Sequence, residues 1–201
     1  METFHYAHFP PELSHVHIAL FTNVANAAQL RARIVEASLA QGPDADAQRA
    51  AVNFAFIDAS LICSVLHLQT AVVAAILAQV QGTLRTKTVH SEILWALNPS
   101  NNITEALRRY GVSDSSTAIF VVRIASPELH DVDELMKAVV SGDISPLSAL
   151  DGITDWTSVK KYNKLNSDPA IKIAAGKDGV QERRVIDEIV LSMVAMKSVM
   201  G

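Results

Sequence analysis

A single cysteine, Cys63, stands among 201 residues, so no internal disulfide framework can form and a reducing compartment is the natural setting. Charge is scarce as well: Asp, Glu, Lys and Arg make up 19% of the chain against 49% hydrophobic residues, and the formal net charge is -4. That balance excludes a generic polyanion-binding surface, because non-specific nucleic-acid binding rests on Lys and Arg neutralising phosphates. Any RNA contact has to be local. No basic segment followed by an apolar run opens the chain at Met1-Glu2, so an intracellular protein is expected. Neither an internal repeat nor a low-complexity linker divides the sequence, and its length predicts one domain over 1–201, large enough to bury a core without staples. A nucleotide-binding loop is missing too: Gly176-Lys177-Asp178-Gly179 lacks the spacing and the trailing Ser/Thr, and reads as a turn.

What is there is apolar and periodic. Leu61 to Val80 has about the length of a bilayer span, roughly 20 residues. His67, Gln69, Thr70 and Gln79 interrupt it and no Lys/Arg cluster flanks it, so it reads as the central helix of a globular domain, capped by Asp58 or Ser60 and ending near Gly82. Val16 to Phe21 alternates and predicts a strand, followed by an amphipathic helix from about Asn26 to Ala40 and a break at Gly42-Pro43-Asp44. Ala51 to Ile57 reads as a short strand. Thr117 to Ile124 is a continuous apolar run, the pattern of a strand covered on both faces. Helices are predicted over Val132 to Val140, Asp155 to Leu165 and Arg184 to Met200. Together these predict an α/β domain, with few strands and many helices.

The most specific stretch is Arg85 to Val112. Pro99 disfavours a helical Asn98, so Ser91 to Leu97 should form a separate short helix before the turn Asn98-Pro99-Ser100-Asn101. Asn102 stands three residues before Glu105 in the manner of a capping box, Ile103, Ala106, Leu107 and Tyr110 recur at helical spacing, and Gly111 occupies the place of a left-handed closing residue. Two helices should meet at a stiff corner.

This passage resembles the signature of the p53-related-protein-kinase-binding protein family, a small subunit of the KEOPS (EKC) complex. Phe21-Thr22-Asn23-Val24-Ala25-Asn26-Ala27-Ala28-Gln29-Leu30-Arg31 is similar to the family's first strand and N-A-x-x-L-R helix, Ala59 to Leu68 to its second helix, and Asp155 to Leu165 to the segment before its last helix. Departures lie at Asn163, in Gln41 to Ala51 and in Ser167 to Gly179. The resemblance implies a small central mixed sheet packed by helices. It also implies a non-catalytic subunit that binds and stimulates the small kinase/ATPase subunit and helps recruit tRNA by its 3′ CCA end for threonylcarbamoylation of adenosine 37. A location in nucleus and cytoplasm, contact with other KEOPS subunits through the kinase, and a link to telomere maintenance are implied likewise.

The last helix carries an apolar stripe wider than one core face needs, and the resemblance makes its second face the docking surface for the kinase subunit. Ile186, Ile189, Val190 and Met193 are the residues assigned, together with part of the Leu61 to Val80 helix; Met suits an adaptable surface. Arg85, Lys87, His90, Arg108 and Arg109 cluster in an otherwise acidic chain. Read without the resemblance they are solvated charge, partly offset by Glu92 and Glu105. With it, Arg85, Lys87, Arg108 and Arg109 supply phosphate contacts and Trp95 and Tyr110 supply stacking for a single-stranded RNA end.

The alternative is a small intracellular enzyme. Cys63 and His67, at i and i+4, could place a thiol beside an imidazole, although a cysteine in an apolar helix ordinarily packs as an inert hydrophobe. His15 and His17 flank Val16 on one strand face, a metal-compatible spacing with no Cys or carboxylate motif beside it. No cofactor is therefore expected.

Overall fold

Strand alternation and helix periodicity meet in one sheet with helices on both faces. The computed structural model describes the backbone of residues 1–200 and the side-chain surroundings of residues 1–197. The strands are β1 (Glu2–His5), β2 (His15–Thr22), β3 (Ala55–Asp58), β4 (Ile119–Ala125) and β5 (Asp143–Ser145). The helices are α1 (Ala27–Leu39), α2 (Ala45–Ala51), α3 (Val65–Val80), α4 (Val89–Leu97), α5 (Ile103–Tyr110), α6 (Val132–Lys137), α7 (Trp156–Tyr162), α8 (Pro169–Ala175) and α9 (Gly179–Met200).

The α/β class expected from the sequence is the observed one. Each strand pair is antiparallel, so the sheet is not mixed in direction: the order is β1-β2-β4-β3, with β5 sharing the outer edge of β2 with β1. β4 is buried on both faces, as its unbroken apolar run requires. Val16, Ile18, Leu20, Phe120 and Val122 face α3, α4 and α9, while Ala19, Phe21, Ile119 and Val121 face α1 and α6. No helix among the described residues is long and apolar enough to cross a membrane.

Several boundaries differ from the sequence reading for local reasons. The central helix does not begin at Asp58 or Ser60. Asp58 caps only a 3-10 turn over Ala59–Leu61, the chain then extends, and the side chain of Ser64 caps α3 by accepting from the amide of His67 at 3.0 Å. Asn26 spends its side chain elsewhere than on its own helix, donating to the carbonyl of Val139 and accepting from the amide of Ser141. Gly42-Pro43-Asp44 is a pause before the short helix α2 rather than a lasting break, and β1, β5 and α8 carry too few residues for their periods to stand out. Of the turn predicted over Gly176 to Gly179, Gly176 to Asp178 lie between α8 and α9, and Gly179 already opens α9.

Candidate functional site

α3 contains no charged residue, yet only part of it is inside. His67, Leu68, Ala71, Val72, Ala75 and Ile76 face the core. At helical spacing on the opposite side, Leu66 is 58% exposed, Leu77 43% and Val80 49%, with Thr70 among them. The helix thus keeps an apolar outward face while its other side lies in the core.

α9 packs on α3 and is tied to its start by the hydroxyl of Ser64, which donates to Asp187 at 2.8 Å. Ile186, Val190 and Val194 are buried in the core, so two of the four residues assigned to docking, Ile186 and Val190, face inward. Ile189 and Met193 are half-buried, and Val185 and the exposed Met196 extend the same flank along the helix. The wide stripe therefore divides into a core edge and a partly open flank, a division that helical spacing alone does not assign.

At the corner, α4 starts two residues earlier than Ser91. Thr88 and Ser91 form a reciprocal capping box. Glu92, read from the sequence as surface charge, is 1% exposed: its carboxylate accepts from the amides of Arg85 and Thr86 and from the Thr86 hydroxyl, and so shapes the loop that presents Arg85 and Lys87 to solvent. Asn102 caps α5 as expected, but Glu105 does not reach back to its amide. Ser100 accepts that amide and donates its own hydroxyl to the Glu105 carboxylate, a hydrogen bond that holds the Glu105 carboxyl below its ordinary range, with Arg109 and Arg108 adding to the effect. Gly111 is not left-handed. Its φ is -75°, and a Cβ there would lie 2.4 Å from the carbonyl oxygen of Leu107, because the chain turns back at once to bridge Ile57 of β3.

The RNA candidates are only partly brought together. Arg85, Lys87 and Arg108 are exposed. Arg109 is paired with Glu105 at 2.7 Å and lies 4.7 Å from the ring centre of Tyr162. Tyr110 is 1% exposed, with burial raising its phenol, so its ring belongs to the core and offers no stacking face. Trp95 is half-buried under Lys197, whose ammonium sits 3.9 Å from the ring centre and donates to the carbonyls of Trp95, Asn98 and Ser100. His90 is buried and accepts the amide of Ile124 through Nε2. Charge and sequence adjacency gave no sign of either burial.

The thiol and imidazole of the alternative reading are not a nucleophile pair. Cys63 precedes the helix that carries His67, and His67 Nδ1 accepts the backbone amide of Cys63 at 3.3 Å. Burial, with Asp187 nearby, pushes the thiol far above its ordinary range, and burial lowers His67 to about 4. A deprotonated thiolate is thereby disfavoured. His15 and His17 spend their Nδ1 atoms on the hydroxyls of Ser14 and Thr3, each at 2.9 Å, and no group of three metal-ligating side chains occurs among the described residues.

The family described as kinase binding protein CGI-121 matches residues 21–198. Among curated proteins, the EKC/KEOPS complex subunit CGI121 of Cryptococcus neoformans is 37% identical, covering 99% of this chain and 100% of its own length. Subunits of the same name from Gibberella zeae, at 34%, and Neurospora crassa, at 32%, cover 99% and 98% of both chains respectively.

Proposed function

The chain belongs to the kinase-binding protein CGI-121 family, and on that premise we propose that it is a non-catalytic subunit of a KEOPS/EKC complex. Its direct partner is the small kinase/ATPase subunit, and other subunits are reached through that one. The observation that carries this reading is the outward apolar face of the uncharged helix α3, with Leu66, Leu77 and Val80, on the helix against which α9 packs. Fully solvated, such a face costs free energy; covered by a partner lobe, it becomes the apolar centre of an interface. Ile189, Met193 and Met196 give α9 a partly open flank of its own, with Met193 on a cleft beside Asn98 and Lys197, while Ile186 and Val190 hold α9 in place from behind.

RNA is handled on other residues. Arg85, Lys87 and Arg108 are free to meet phosphates of a tRNA single-stranded end, Arg109 is available once it leaves Glu105, and Trp95 stacks only by the side that Lys197 does not take. The subunit would present that end while its partners perform threonylcarbamoylation, working in nucleus and cytoplasm; a part in telomere maintenance belongs to the same reading.

Two substitutions separate the roles. Met193→Glu should abolish co-purification with the kinase subunit and leave tRNA binding unchanged, whereas Lys87→Glu should weaken tRNA binding and leave co-purification unchanged. Loss of both activities in either folded variant would contradict the division of surfaces.

A further inference from the structure

A cavity of about 520 Å³ opens where the end of β4 meets the start of α4, and its wall is rich in hydrogen-bond donors. β3 begins at Ala55, opposite Val122, so the β4 backbone beyond that point lacks a strand partner on this side. His90 fills the gap. Its Nε2 accepts the amide of Ile124 at 3.0 Å, which leaves the ring proton on Nδ1. That Nδ1 is buried and has no partner among the described residues.

Arg123 lines the same cavity. One arm of its guanidinium donates to the carbonyl of Asn53 and the group lies 5.5 Å from the ring centre of Phe54, but its Nε is buried and unpaired. It makes no ion pair among the described residues. Lys87, exposed, stands on the lining as a second cation, and the exposed Glu12 is the one acid there. Two cations and a single rim carboxylate on the lining, with two orphan N–H groups buried behind it, call for a ligand that only accepts.

We propose that this cavity is an anion site that takes a phosphate group, held by the Arg123 guanidinium with Lys87 at its mouth and the unpaired His90 Nδ1–H behind its wall. Phosphate oxygens are acceptors only, and the planar guanidinium matches their spacing. Burial, reinforced by the Arg123 charge, lowers His90 to about 3, so the ring stays neutral throughout the physiological range and adds no charge of its own to the site. The site rests on the RNA reading above only for the source of the phosphate. A strand laid across Lys87 would bring a phosphodiester to the opening, and a free phosphate ester is the other source.

The test is calorimetric titration of the intact chain with inorganic phosphate, then with 5′-AMP and a short single-stranded RNA, against Arg123→Lys and Glu12→Gln. Saturable phosphate binding is expected, weakened about tenfold in Arg123→Lys, which keeps the charge but loses the fork, and strengthened about threefold in Glu12→Gln. Circular dichroism establishes that each variant is folded; should Arg123→Lys fail to fold, the Glu12→Gln result decides. Phosphate bound in the cavity without RNA binding supports the site and sinks the RNA reading alone. RNA binding without saturable phosphate binding, or phosphate affinity unchanged in the folded variants, overturns the site.

Discussion

His67 and His90 each surrender one ring nitrogen to a backbone amide, and each is held neutral by burial, at about 4 and about 3 respectively. In the unfolded chain both would take a proton near pH 6.5. Stability from these two groups is therefore complete above that pH and is lost as pH falls towards their folded values, by roughly 2 kcal/mol for each histidine between pH 6.5 and 5. Urea unfolding across that range measures the slope, and a pH-independent midpoint would contradict it. Gly111 supplies a second prediction at this scale: Gly111→Ala drives a methyl against the Leu107 carbonyl and should cost about 1–3 kcal/mol by the same assay. The need for glycine at Gly111 was legible in the sequence, but its cause was not. A helix-ending glycine suggests a left-handed residue, whereas the actual requirement comes from a bridge to Ile57, more than fifty positions away. For the same reason Tyr110 and His90 looked like surface groups beside arginines, since only the packing of α4 and α5 on the sheet decides which way they point.

Among the elements, α3 carries the argument. Its lack of charge was visible in the sequence and pointed to burial, but a helix apolar all round does not say how much of its circumference the fold itself covers. The structure leaves Leu66, Leu77 and Val80 outside. Leu77→Glu should then change unfolding free energy by no more than about 1 kcal/mol, because at 43% exposure the new carboxylate still reaches water. Ile76→Glu, one residue earlier and fully buried, should prevent folding. Equal tolerance of both would show that the face assignment is wrong. The start of α3 was misread because Asp58, Ser60 and Ser64 all have capping chemistry, and the choice fell to Ser64 only where the chain, after its turn at Ala59–Leu61, lines up with Asp187 of α9. The break between α4 and α5 and the Asn102 cap were legible because their signals act within a few residues.

At the scale of the whole molecule, the sheet places the two proposed surfaces on connected but different elements. α9 reaches the corner through Lys197, whose ammonium joins the carbonyls of Trp95, Asn98 and Ser100, and through Val190, Met193 and Val194, which line the cleft beside it. The strand order β1-β2-β4-β3, with β5 on the outer edge of β2, could not be read from alternation, which gives faces but not neighbours. The central claim is that the kinase subunit binds on the outward face of α3. It is tested most directly by measuring the affinity of the purified chain for that subunit with Leu77→Glu, and with Ile173→Glu as a control on α8, where Ile173 is likewise an exposed apolar residue. The account predicts a loss of at least about a hundredfold for Leu77→Glu and wild-type affinity for Ile173→Glu. Wild-type affinity for a folded Leu77→Glu would contradict it.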